Sequence, residues 1–309
     1  MNKVMNERLP AMVKAIQRER ELVSAKQVQT AKELGMPDYS AIKNMGNAGV
    51  VCLKKTVAGK TVVEFKTGDM TLTIDPATGG RLMSWANGRD ELVSQDEKNG
   101  LAVDAFWWPD KAVCSINTPY KVTGQSKTGN GLSITLEREI TAADNHYLSG
   151  IIIRKTYNIV FNGFSLTSEV VNQTKKEISF SFRWHNMPGL FEIRNGAGGQ
   201  AAMLNGDKPE IFPRLFICKL YRFATSPVKD LESAFNMQSV SAVTSPKTVF
   251  TAPWSQTVLS AEVDPAKDLY CLIFWDSGKQ KASTFEPVFG KVKLASGQSW
   301  SANIKWTVK

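Results

Sequence analysis

Cysteine is scarce in this 309-residue chain, and Cys52, Cys114, Cys218 and Cys271 are far apart, with no CxxC or Cys/His spacing. That argues against a structural zinc site. Cys218 and Cys271 sit inside apolar runs, which reads as buried free thiols and favours a reducing, cytoplasmic compartment. A periplasmic or secreted location is the expectation if a signal peptide has been removed, since residues 1 to 35 contain no signal-peptide apolar core. No stretch is long and apolar enough to span a membrane, so no membrane partner is expected. No phosphate-cradling glycine loop precedes a helix. The net charge of +9 comes from lysines and arginines scattered over the chain rather than gathered in a stripe. It therefore reads as a solvated surface, with no nucleic-acid partner, leaving weak attraction to anionic glycans or phosphorylated sugars open. Histidine is rarer still: there are only His146 and His185.

What is present is an ordinary globular composition, 42% hydrophobic and 22% charged, long enough for one large core or two smaller ones. Residues 1–49 read as an N-terminal helical segment and linker. Leu9, Met12, Val13 and Ile16 fall at helical spacing, Gly35 and Pro37 end the helix, and the stretch from Tyr39 to Gly49 connects it to the rest of the chain. From Val50 onward the pattern changes to short β runs broken by Gly, Asn, Asp and Pro, and no run of helical period intervenes. A parallel α/β sheet is thereby disfavoured. Candidate strands include those from Met70 to Asp75, Ile178 to His185, Leu269 to Trp275, Thr284 to Val288 and Trp300 to Val308. The expected fold is all-β, two large stacked antiparallel sheets in one domain over residues 50–309.

Two strands carry chemistry. In ISFSFRWHNMPGL (178 to 190), Ile178, Phe180, Phe182 and Trp184 share one side of an extended backbone, and Ser179, Ser181, Arg183 and His185 share the other. Small hydroxyls leading to an arginine and a histidine suit a sugar-sized polar cleft. Asn186, Pro188 and Gly189 stop the strand with His185 near its end. A structural or rim histidine is the competing reading. Glu286 lies between Phe285 and Pro287, and a carboxylate in that company is either salt-bridged for structure or functional.

In order and spacing, three segments together resemble the galactose mutarotase (aldose 1-epimerase) superfamily, whose fold is a β-supersandwich. They are LTIDPATGGRLMSW (72 to 85), IIIRKTYNIVFNGFSLTSEVVNQTKKEISFSFRWHNMPGL (151 to 190) and STFEPVFGKVKLASGQSWSANIKWTV (283 to 308). The resemblance covers roughly Thr61 to Lys309. It implies that His185 is the general acid and Glu286 the general base of a sugar site. The glutamate takes the proton of the anomeric hydroxyl while the histidine protonates the ring oxygen. Such a reaction needs neither metal nor redox cofactor, and a monosaccharide or oligosaccharide is the implied ligand. Trp107, Trp108 and Trp184 are candidates for a stacking wall, and Arg81 and Arg183 for holding hydroxyls or an anionic substituent.

There are departures from the family pattern. The second histidine of an HGxxR-like motif is missing, and His146 falls in a surface loop. The family's glycine- and proline-rich binding loop is replaced by GLAVDAFWWPDKAV (100 to 113), in which Asp104, Trp107, Trp108 and Asp110 either rebuild a sugar wall or cap the core. Three functions stay open: mutarotase-like interconversion of sugar anomers, a non-catalytic carbohydrate-binding or accessory module, and a polysaccharide lyase or hydrolase. The last would want further Tyr, Asp or Glu groups that the sequence does not identify. The resemblance and the composition leave the oligomeric state open.

Overall fold

The computed structural model of the chain describes residues 39, 41–95, 100–108, 113–114, 118–194, 197–205, 208–212, 218–223, 240–243, 247–264, 268–276 and 283–309. The expected N-terminal helix lies outside them. Six strands come first: β1 (Met45–Asn47), β2 (Val50–Val57), β3 (Lys60–Thr67), β4 (Met70–Asp75), β5 (Arg81–Asn87) and β6 (Asp90–Glu91). They pair in chain order as an antiparallel meander. The next group is β7 (Val103–Trp108), β8 (Val113–Cys114), β9 (Lys121–Thr128), β10 (Gly131–Glu139), β11 (Ile151–Val160), β12 (Gly163–Asn172) and β13 (Ile178–His185). After a 3-10 turn at Gly189–Phe191 come β14 (Ile193–Arg194), β15 (Ala197–Gly198), β16 (Gln200–Asn205), β17 (Lys208–Phe212), β18 (Cys218–Phe223), β19 (Val240–Val243) and β20 (Lys247–Thr251). The chain closes with β21 (Leu259–Val263), β22 (Leu269–Asp276), β23 (Ser283–Leu294) and β24 (Ser299–Val308).

The two large layers are a nine-stranded sheet ordered β17-β16-β20-β21-β24-β12-β11-β10-β9 and a seven-stranded sheet ordered β19-β18-β22-β23-β13-β7-β8. Pairing is antiparallel except between β18 and β19. The layers face each other because their strands alternate. On β13 the apolar residues Ile178, Phe180, Phe182 and Trp184 are all buried and the polar ones between them are not; β11, β12 and β24 carry similar one-sided stripes. Aromatic rings fill the gap. Phe180, Phe182 and Phe289 surround Trp300 edge-on at centroid distances of 5.7, 5.4 and 5.2 Å. Phe285 meets Trp306 at 6.1 Å. Edge-to-face contacts of this kind add to the burial of the rings themselves. The meander packs on the same inner face through Trp85, whose ring lies 5.4 Å from that of Phe164.

Where β10 begins, the fold needs a residue without a side chain: a Cβ on Gly131 would stand 1.9 Å from the Ile159 carbonyl oxygen of the adjacent strand. Among the described residues no helix is long and apolar enough to cross a membrane.

The all-β two-layer architecture is as the sequence predicts, with two local differences. Tyr39 to Gly49, expected as a linker, already belongs to the fold. Tyr39 and Ile42 are buried in the core, β1 pairs with β2, and Asn47 donates to the Thr128 and Gly131 carbonyls. The segment from 100 to 113, expected as a loop, holds β7 instead. Its run of Val, Ala, Phe and Trp suits a strand that is covered on both faces, where no polar alternation appears.

Candidate functional site

The outer face of the seven-stranded sheet gathers the chemistry. Arg183 and His185 project outward from β13 because Phe182 and Trp184 are drawn into the core. The neighbouring strand β23 pairs Arg183 with Val288, and beyond the strand end Asn186 bridges Phe285. This register sets Glu286 opposite His185. Directly opposed antiparallel residues share a face, so an imidazole and a carboxylate some hundred residues apart in sequence meet.

The contacts are specific. Arg183 Nη1 donates to Glu286 Oε2, and Thr284 Oγ1 donates to Glu286 Oε1 at 2.8 Å. His185 Nε2 stands 3.6 Å from Glu286 Oε1, near enough for an ion pair but too long for a hydrogen bond. The glutamate side chain is only 6% exposed, against 18% for Arg183 and 25% for His185. A carboxylate so buried needs its charge answered, and the guanidinium and hydroxyl do that. The imidazole and the adjacent guanidinium keep part of their surface exposed.

Burial pushes the His185 pKa below the ordinary 6.5; Glu286 pulls it upward, and Arg183 adds to the lowering. The imidazole is thus neutral at neutral pH. In the unfolded chain it takes up a proton near 6.5, whereas in the fold it does so only at lower pH, so acid unfolding binds a proton there. The contribution of His185 is therefore to weaken the fold as pH drops from 6.5 toward its folded pKa, with no effect above 6.5. Proton NMR should show the His185 ring titrating below 6.5, and replacing it with glutamine should flatten that part of the stability profile.

Asn186 holds the site in register. Its Oδ1 accepts from Ala102 N at 2.8 Å, its Nδ2 donates to the Phe285 carbonyl at 3.0 Å, and its own backbone exchanges hydrogen bonds with Phe285. One fully buried amide thus ties the residue after His185 to the residue before Glu286, and also to Ala102, which stands in the left-handed region at φ 65°. Asn186→Ala leaves a buried Ala102 N–H without its acceptor. We expect a loss of about 1–3 kcal/mol in urea unfolding, accompanied by loss of whatever activity the site has.

The other sequence-predicted residues divide. Asp104 is not at this face. Register pairs it with Trp184, on the inward side of the sheet, where strand alternation sends 104 to the core and Val103 and Ala105 to the site face. There it is fully buried, 3.1 Å from Lys155 Nζ, and it accepts from Tyr120 Oη at 2.7 Å and from Ser168 Oγ at 3.3 Å. Trp184 is likewise no stacking wall: it is fully buried and donates through Nε1 to Ser168. Trp107 and Trp108 end β7, and their side chains, with Asp110, lie outside the described residues. Arg81 opens β5 with its stem along Gly100, where a Cβ would come within 2.9 Å of Arg81 Cδ. The Gly100 carbonyl accepts from Met187 N, which brings Arg81 toward the end of the strand that carries His185. His146 lies exposed in its loop.

No protein-family model and no curated protein sequence matches the chain. Solved structures do. A galactose mutarotase-like protein from Clostridium acetobutylicum superposes with TM-score 0.60 at 14% identity, over 85% of this chain and 99% of that one. A galactose mutarotase-like protein from Lactobacillus casei gives 0.56 at 13%, over 80% and 100%. A candidate aldose 1-epimerase from Escherichia coli K12 gives 0.54 at 12%, over 81% and 99%. The fold is galactose mutarotase-like.

Proposed function

We propose that this protein interconverts the anomers of a free sugar by general acid and base catalysis, with Glu286 as base and His185 as acid. The observation that carries the reading is the pairing of a buried carboxylate with an imidazole 3.6 Å away on one sheet face. In a hemiacetal the anomeric hydroxyl and the ring oxygen are bonded to the same carbon, so the groups that serve them must be neighbours. Glu286 accepts the proton of the anomeric hydroxyl, His185 in its protonated form, the form that its carboxylate neighbour favours, gives one to the ring oxygen, and the C1–O5 bond breaks to leave an open-chain aldehyde. Rotation about C1–C2 presents the other carbonyl face. Ring closure returns each proton in reverse, so the enzyme ends as it began. Arg183 steadies Glu286 from the side on which the sugar would lie. The three solved structures named above carry mutarotase and epimerase names, which supports the same reading.

A second reading, sugar binding without turnover, draws on one observation: Arg183 already donates to one Glu286 oxygen, which leaves the carboxylate engaged before any sugar arrives. Polarimetry on freshly dissolved α-D-glucose, α-D-galactose, D-xylose and L-arabinose, with calorimetry on the same sugars, separates the two. Acceleration of the approach to anomeric equilibrium is expected. Heat of binding without acceleration transfers the site to the second reading, and neither signal removes both.

A further inference from the structure

Most of the described tryptophans are structural. Trp85, Trp184 and Trp306 are fully buried and Trp300 nearly so. Trp275 is different, with 37% of its surface exposed near the end of β22. Its direction follows from its neighbours. Leu272 and Phe274 are buried on the core side, Phe274 with its ring 5.3 Å from Phe285, so Cys271, Ile273 and Trp275 point to the opposite face. Pairing with β23 sets Ile273 beside Glu286 and Trp275 beside Thr284. Thr284 is the hydroxyl that bonds to Glu286. Trp275 therefore rises from the site face as the diagonal neighbour of Glu286, with His185 on the carboxylate's other side. Diagonal neighbours in a sheet have Cβ atoms about 7–8 Å apart, a span that a sugar ring can cover.

We infer that the Trp275 indole is the platform on which the apolar C–H face of the sugar ring lies while its anomeric end meets Glu286 and His185. This rests on the reading of the face as a sugar site, and it adds the residue that orients the ring. Two features of the site make it fit. Glu286 and Thr284 are nearly closed off from water, so a ligand held by polar contacts alone has few exposed groups to grip on that side. An indole with 37% of its surface in water loses apolar exposure when a ring settles on it. Ring hydroxyls, which lie at the rim of the sugar, are then turned toward Arg183 and Glu286.

The test uses Trp275→Leu and Trp275→Phe, with Glu286→Gln as the variant impaired in chemistry, and D-glucose, D-galactose and maltotriose as probes. Saturation-transfer NMR on the wild type and on Glu286→Gln should show the strongest saturation at protons of one ring face. Trp275→Leu should weaken binding about tenfold and raise KM by the same factor, with kcat nearly unchanged. Trp275→Phe should stay within about threefold. Melting temperatures of both variants should match the wild type. Unchanged affinity in Trp275→Leu overturns the platform, as does a wild type that binds none of the probes. Equal losses in both variants with lowered melting temperatures do the same, by making Trp275 a packing residue. Binding that depends on Trp275 in a wild type without turnover leaves the platform standing and removes only the catalytic reading.

Discussion

Lys155→Met should lower the stability of the fold by about 3–5 kcal/mol, read as a shift of the urea midpoint at constant slope. The ammonium lies between the sheets with no exposed surface. It sits 3.1 Å from Asp104 Oδ2, donates to the Gly79 carbonyl at 3.1 Å and to that of Ala102, and lies 5.3 Å from the centre of the Tyr120 ring. Methionine matches the length but leaves a buried carboxylate with only the neutral donors Tyr120 and Ser168, and two carbonyls without their donor. Removing one partner of a buried pair is costly because the other charge stays behind. Asp104→Asn made together with Lys155→Met should therefore cost less than the sum of the two changes. A loss under 1 kcal/mol in the lysine variant contradicts this account. The damage should reach the site as well. Lys155 and Asn186 both hold Ala102, one at its carbonyl and one at its N–H, and Ala102 precedes Val103, the residue paired with His185.

This network shows how far the sequence could be read. Lys155 falls on the same side of its strand as Ile151, Ile153, Tyr157 and Ile159, and a cation inside an apolar stripe of period two is a visible sign of a buried partner. The partner is not visible. VDAFWW has no alternation of polar and apolar residues, so its inward and outward sides cannot be told apart before pairing is known, and Asp104 reads equally well on either. β13 is the opposite case, since ISFSFRWH alternates strictly and sends Arg183 and His185 outward whatever it pairs with. Glu286 was legible only as a carboxylate in apolar company. Its meeting with His185 depends on a register between strands about a hundred residues apart, which no local pattern encodes and the resemblance alone implied. Trp275 stayed hidden because LYCLIFW (269 to 275) is apolar throughout: a strand without polar alternation does not announce which of its aromatics reaches water.

Glu286→Gln should reduce the rate of anomer interconversion by about 10²–10⁴-fold while leaving sugar affinity within a few-fold of the wild type. The amide keeps the shape and can still accept from Thr284, but it cannot take a proton from the anomeric hydroxyl. The fold should tolerate the change. Arg183 loses a charged acceptor and is only 18% exposed, so a cost of about 1–3 kcal/mol is expected, read by urea unfolding apart from the rate. The imidazole supplies an independent check. Glu286 is what holds the His185 pKa up against burial and Arg183, so its ring should titrate at still lower pH in the variant, measured by NMR on the same samples. The two readouts sort the roles of the carboxylate. A lost rate with retained binding and a lowered histidine pKa makes Glu286 the proton acceptor. Lost binding with the same pKa shift makes it a ligand for hydroxyls in a site that only binds. An unchanged rate moves the base to another residue, even if the histidine responds as expected, because the shift requires only that the two side chains be neighbours.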